Sequence, residues 1–197
     1  MSNKKLYIII GIFGIIFMFF GGTLSFLQWR TSTEQQTNVA FTVTEDFSCS
    51  ADGGGNITNG EKTLMPTTSC TNELYAIQRT ITVNNILNTD KTNLTMDLWL
   101  NINSIGDGLK NSENLRYAVT TVANDCSRGV VSYGTFTGKS ANDKVLLLDD
   151  EMYSESRTDT YYLYIWMDAD ETSHDIVNQT IDLSLGGNCT GTSKGEP

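Results

Sequence analysis

A chain of 197 residues has room for about one domain once its first thirty residues, which have a membrane-segment composition, are set aside. The formal net charge is −10, and without Lys4 and Lys5 the rest carries eleven basic against twenty-three acidic residues. That balance argues against nucleic acid or anionic lipid as a partner of the folded part. Charged residues make up 18%, while Thr, Ser, Asn and Gly abound, a profile that suits strands and turns better than helices.

Leu6 to Leu27 reads LYIIIGIFGIIFMFFGGTLSFL and contains no charge. As a helix it would span ~33 Å, enough to cross the hydrocarbon core. Two lysines precede it and no basic residue follows before Arg30, so the amino end stays inside and everything later is exported. Residues 1–29 therefore read as a transmembrane anchor or an export signal. The apolar run is longer than most secretory signals, yet Gly21-Gly22 interrupts it. Thr23 and Ser25 stand at cleavage-type spacing, which would make Phe26 the new amino terminus. A pilin leader is disfavoured because the stretch carries no Glu.

Residues 30–37 form a polar connector, and from there to residue 190 the dominant pattern is alternation with period two. Val39, Phe41 and Val43 share one face of a short strand. Ser48 to Ser69 holds Gly53-Gly54-Gly55 and reads as a loop. Leu74 to Asn84 is strand-like, with Ile77, Ile81 and Val83 on one face and Arg79 intruding on it. The clearest strand is Leu94 to Ile102, where Leu94, Met96, Leu98, Leu100 and Ile102 alternate with Thr95, Asp97, Trp99 and Asn101. Ser104 to Asn114 suggests a loop with at most one helical turn.

Leu115 to Val122 and Val130 to Thr137 are two further strands, and Lys144 to Leu148 is a short apolar run bounded by Asp149-Asp150-Glu151. Thr160 to Met167 (TYYLYIWM) is apolar on both faces, which places it centrally in its sheet. Gln179 to Leu185 closes the fold, and 191–197 reads as a flexible tail. About eight strands without a long helical period predict an all-β antiparallel sandwich of jelly-roll or immunoglobulin-like type.

Cys49, Cys70, Cys126 and Cys189 form an even set in an exported domain, which favours disulfides. Cys49 and Cys70 bracket the glycine-rich loop, so Cys49–Cys70 with Cys126–Cys189 is the expected pairing among the three that four cysteines permit. A zinc site is disfavoured, because no two cysteines lie two to four residues apart and the single histidine, His174, is remote from all four. Asn56, Asn93, Asn178 and Asn188 begin Asn-X-Ser/Thr sequons, at a frequency that chance supplies in so Asn- and Thr-rich a chain.

Catalysis finds few routes here. No Gly-X-Ser-X-Gly elbow or His-Glu-X-X-His signature occurs, and Gly138-Lys139-Ser140 lacks the glycine that a phosphate loop needs at position 133. No enzyme, cofactor or catalytic residue is expected. Asp168, Asp170, Glu171 and Asp175 are weak candidates for calcium, since their spacing does not match an EF-hand loop; a solvated acidic turn is the plainer reading. Trp99, Tyr162, Tyr164 and Trp166 are candidate binding aromatics for glycan or protein, against the plainer reading that they are core.

Two segments carry a resemblance. Gly21-Gly22-Thr23-Leu24-Ser25-Phe26, followed by Trp29, resembles the export signals of camelysin/TasA-like proteins of Gram-positive bacteria, with Ser25 where that family has Ala. Tyr162-Leu163-Tyr164-Ile165-Trp166-Met167-Asp168 is similar to a late strand of related surface domains. The resemblance implies a jelly-roll subunit of the bacterial cell surface or extracellular matrix, assembling into fibres in which a strand near the mature amino terminus complements a neighbour. Thr37 to Thr44 is the corresponding strand here. The alternative is a membrane-tethered binding module.

Overall fold

The structure, a computed structural model, describes residues 39–43, 47–53, 57, 64–89, 92–172, 175–176 and 179–193. Leu6–Leu27, the Ser25/Phe26 junction and the polar connector lie outside the described residues. Among the described residues no helix is long and apolar enough to cross a membrane.

Among the described residues, ten strands and one short helix follow in chain order: β1 (Val39–Val43), β2 (Phe47–Asp52), β3 (Pro66–Thr67), β4 (Ile77–Leu87), β5 (Thr92–Ile105), α1 (Asp107–Asn111), β6 (Leu115–Thr120), β7 (Val130–Thr135), β8 (Lys144–Tyr153), β9 (Arg157–Asp168) and β10 (Ile181–Ser193). They form two sheets. One runs β1-β2-β4-β9-β6-β7, and the other β10-β5-β8. Every pairing is antiparallel except β3 with β9, where Pro66 and Thr67 lie opposite Met167 and Asp168. β4 begins only at Ile77 opposite Ile165, so β3 occupies the lane beside the end of β9 that β4 leaves vacant. From β4 to β5, from β5 to β6, from β7 to β8, and at each step from β8 to β10, the chain changes sheet. An all-β sandwich is thus the architecture.

Alternation explains the core. Leu94, Met96, Leu98, Leu100 and Ile102 of β5 are at most 1% exposed, and their intervening neighbours reach the outer face. They meet Ile77, Ile81 and Val83 of β4, Tyr161, Leu163, Ile165 and Met167 of β9, and Ile181, Leu183 and Leu185 of β10 in one cluster. Arg79 shares the parity of the β4 apolar set but stays half-buried, and burial pulls its guanidinium below the usual value.

Several expectations shift. Ser48–Asp52 is not loop but most of β2, whose Phe47, Cys49 and Ala51 point inward. Small and polar residues hide that alternation from a reading based on apolar bulk. β8 does not stop at Leu148. It passes through Asp149-Asp150-Glu151 to Tyr153 by slipping register against β5 between Met96 and Leu98. β10 runs to Ser193, past the expected domain end at 190.

The cysteines pair as Cys49–Cys189 and Cys70–Cys126, which corrects the expected Cys49–Cys70 and Cys126–Cys189. Proximity along the chain misleads because β2 and β10 belong to facing sheets, so residues 140 apart in sequence meet in the core. Cys70 instead reaches over β9 to the loop between β6 and β7.

Peptide mapping without reduction should recover the 49–189 and 70–126 crosslinks and no 49–70 crosslink. Cys49→Ala with Cys189→Ala should cost ~3–5 kcal/mol, because the loop it closes is long. In thermal unfolding, Leu98→Ala should cost about 3 kcal/mol and lower Tm by roughly 10 °C. Thr95→Ser on the outer face of the same strand should change stability by less than about 0.5 kcal/mol.

Candidate functional site

Four places gather chemistry-bearing side chains. The first is the outer face of β9, whose neighbours are β4 on one side and β6 on the other. Tyr162, Tyr164 and Trp166 point away from the sandwich core, yet Tyr164 is 2% and Trp166 6% exposed. Tyr164 and Trp166 form a second small core with Cys70, Ala76 and Ala118, against which the partly buried Tyr162 and Cys126 pack. The loops carrying the Cys70–Cys126 disulfide roof this row. Tyr133 of β7 is its exposed margin, 6.2 Å from Trp166 by ring centroids, and its hydroxyl accepts a 3.1 Å hydrogen bond from Arg116.

Trp99 sits elsewhere, half-exposed on the outer face of the three-stranded sheet. Its indole N–H donates to Asn101 Oδ1 at 2.8 Å, and the Lys144 ammonium lies 3.8 Å from the ring centroid. The ring lies across Gly186 of β10, where a Cβ would come within 2.5 Å of the indole nitrogen. The four candidate aromatics therefore belong to opposite outer faces, and the structure does not bring them together.

The second place is a cleft of about 580 Å³ at one end of the sandwich, lined by Asp107, Glu113, Glu171 and Asp175 with Ser112 and Gln179. α1 approaches it so closely that a Cβ at Gly108 would strike the Asp175 carbonyl. The Ser112 hydroxyl donates to Glu171 and accepts from the Asn114 amide N–H at 3.0 Å. Lys110 holds the Asp107 carboxyl below its usual range by hydrogen bond and charge. A serine here meets a carboxylate, so the arrangement can bind through hydrogen bonds and negative charge. Among the described lining residues no imidazole stands beside the serine. His174 lies outside the described residues.

Of the four residues weighed for calcium, only Glu171 and Asp175 reach this cleft. Asp168 turns to Arg116, 3.1 Å away, and accepts from the Asp170 N–H at 3.2 Å. The carboxylates that do converge among the described residues are Asp97, Asp149 and Asp150, with oxygens within 4.8 Å of one another. The β5–β8 register slip makes that grouping. It places Asp150 in the left-handed region at φ 50°, with its N–H donating to Asp97 Oδ1 at 2.9 Å. Asp149 and Asp150 could be singled out from sequence, but nothing there announced the slip that opposes them to Asp97.

The fourth place is a buried polar corner between the sheets. Tyr153 of β8 is 2% exposed, and its hydroxyl, which faces Tyr161, meets no well-aligned hydrogen-bond partner among the described residues. Arg157 lies over the Tyr153 ring at 4.8 Å and pairs with Asp159 at 2.7 Å. Asn85, across from Arg157 on β4, is 1% exposed, and neither amide atom meets a partner among the described residues. Burial, the main cause, pushes the Tyr153 phenol far above its ordinary value and raises Tyr161 as well, with the Asp159 and Glu151 carboxylates adding to both.

No protein-family model matches the chain, and no curated protein matches it either.

The tyrosine corner sets an alkaline limit. Both phenols are raised in the folded state, so their contribution is fully present below the unfolded value of about 10 and is lost as pH rises beyond it. Absorbance titration should show these two tyrosines ionising only with unfolding. Tyr153→Phe should leave neutral-pH stability unchanged or slightly higher and flatten the alkaline fall. A Tyr153→Phe variant whose stability falls as steeply above pH ~10 as the parent would refute this assignment.

Proposed function

We propose that this chain is a non-enzymatic, extracytoplasmic structural or interaction protein of the bacterial cell surface, serving as a subunit of a fibre or matrix assembly. The observation that carries this reading is an uncharged, apolar sheet edge, interrupted by one register shift that leaves Val131 unpaired with β6. β7 ends the larger sheet with the sequence VVSYGT, which has neither charge nor proline. Val130 and Val131 are each 44% exposed and Tyr133 52%. Leu146, on the edge strand of the other sheet, is 43% exposed beside them. Between the two edges lies a groove of about 200 Å³ lined by Val131, Ser132 and Leu146 to Leu148, with the Asp149 and Glu151 carboxylates at its end. One hydrogen bond, from Ser132 Oγ to the Leu146 carbonyl at 3.2 Å, crosses it.

Exposed edges are templates for pairing with another chain, and proteins that stay apart usually block them with lysine, proline or bulges. β1 lies at the opposite end of the same sheet, antiparallel to β2. Joining the β1 end of one copy to the β7 end of the next is a head-to-tail contact, which extends into a filament wherever its rotation does not close a ring. The intrachain pairing of β1 means that strand complementation would require it to leave β2. Edge addition at β7 has no such requirement, and we take it as the assembly mode.

The non-cytoplasmic placement rests on the charge-free segment behind Lys4 and Lys5 and on the two disulfides. The jelly-roll subtype, and membership of the camelysin/TasA-like group, rest on the short resemblances at Gly21–Phe26 and Tyr162–Asp168 together with the repeated changes of sheet. The reading as a tethered glycan- or protein-binding module is weaker, because the β9 aromatics it draws on are roofed.

Sedimentation of the full chain in detergent should show concentration-dependent self-association. Val131→Lys with Tyr133→Lys should weaken it by about tenfold or more, roughly 1.4 kcal/mol, with little change in Tm. A parent that stays monomeric throughout the concentration series would defeat the assembly reading.

A further inference from the structure

The roof over the β9 aromatics is fastened at one point. Cys70 belongs to the segment between β3 and β4, and Cys126 to the loop between β6 and β7, so the two reach across β9 from opposite sides. Beneath them lie Tyr162, Tyr164, Trp166 and Ala118. The hydrogen bonds of each loop are local. Asn72 N–H donates to the Ser69 carbonyl at 3.2 Å and Ala76 N–H to the Asn72 carbonyl at 2.9 Å. On the other side the Asp125 carboxylate accepts from the Ser127 N–H at 2.9 Å and the Arg128 N–H at 3.2 Å. Among the described residues no hydrogen bond runs from one loop to the other, or from the segments 69–76 and 121–129 to the part of β9 they cover.

The second disulfide is placed differently. Cys49 and Cys189 are 1% and 4% exposed inside the main core and join the two sheets. In the other bridge Cys70 is 5% exposed, and only its partner Cys126 is partly exposed at the surface. A reductant therefore meets one bridge at the surface and the other only after the sandwich opens, because exchange requires a thiolate to reach a sulfur in line.

The geometry points to a reducible latch: breaking Cys70–Cys126 frees both loops and uncovers Tyr162, Tyr164 and Trp166, while Cys49–Cys189 keeps the sandwich closed. The reductant is an exported dithiol. One of its thiolates attacks Cys126 Sγ, forming a mixed disulfide and releasing Cys70 as a thiolate that takes up a proton. Its second thiolate then resolves the mixed disulfide, Cys126 leaves and is protonated, and the dithiol departs as a cyclic disulfide. Two electrons pass from dithiol to protein. The exposed row then joins Tyr133 as a continuous aromatic face, which in the oxidised protein is confined to Tyr133 and the partly exposed Tyr162. This inference is independent of the assembly reading, because the β7–β8 groove contains neither cysteine.

The test is a dithiothreitol titration of the full chain in detergent, with alkylation mapping each cysteine. Hydroxyl-radical footprinting then reads Tyr161, Tyr162, Tyr164 and Trp166 separately. Cys70 and Cys126 should become alkylated at least about tenfold faster than Cys49 and Cys189. Labelling of Tyr162, Tyr164 and Trp166 should rise several-fold while inward-facing Tyr161 stays protected. Cys70→Ala with Cys126→Ala should show the same labelling without reductant. Parallel reduction of both bridges overturns the latch, as does labelling of Tyr161 in step with the others. Outer-face aromatics that remain protected once Cys70–Cys126 is open would make the bond a plain staple and also overturn it.

Discussion

The fold depends on β9 being buried on both faces. A central strand of an antiparallel sandwich normally keeps one side for solvent, so that a single row of apolar residues is enough. Here Tyr161, Leu163, Ile165 and Met167 fill the space between the sheets, while Tyr162, Tyr164 and Trp166 face the other way and need a cover of their own. Leaving those three rings in water would expose a large apolar patch on the middle of the sheet. The Cys70 and Cys126 loops meet that need, and their disulfide holds together two segments too short and too polar to form a layer by packing alone. The architecture is thus two sheets plus a partial third layer, with β9 at the centre of all of it.

The same double burial was legible in the sequence, because TYYLYIWM admits no polar face. So were β5, where five apolar residues alternate without a break, and the short turn that became α1. What stayed hidden has a common cause. β2 carries its inward face on Phe47, Cys49 and Ala51, whose small members contribute little to any apolar period. β8 continues through three consecutive acidic residues because a register slip turns them to the exposed side, and the energy of that choice lies in strand pairing rather than in the side chains themselves. Disulfide connectivity is a statement about which strands face one another. A chain that changes sheet at most of its later steps puts near neighbours in sequence on different layers.

The candidate sites divide along the same line. The aromatic residues could be picked out one by one, but whether they were exposed depended on loops whose sequences carry no sign of where they dock. The acidic cleft was half visible: Glu171 and Asp175 stood out as an acidic run, whereas Asp107 and Glu113 joined them only through the placement of α1. The tyrosine corner could not be anticipated, since Tyr153 follows a stretch that reads as the end of a strand. Its burial is a consequence of β8 being longer than its apolar run.

An open apolar edge and a strongly acidic surface are in tension, and the tension explains how both persist. β7 offers unpaired backbone and exposed valines, a combination that promotes uncontrolled stacking when nothing opposes it. A net charge of −10 on every copy opposes approach from any direction at long range and is screened within about 10 Å at 0.1 M salt. Edge pairing acts only at contact, where two strands come within hydrogen-bonding distance in register. Repulsion therefore penalises random encounters more than the one geometry in which β7 gains a partner. In the edge assembly proposed above, this balance would favour specific pairing over disordered aggregation without a lysine or proline on the edge itself.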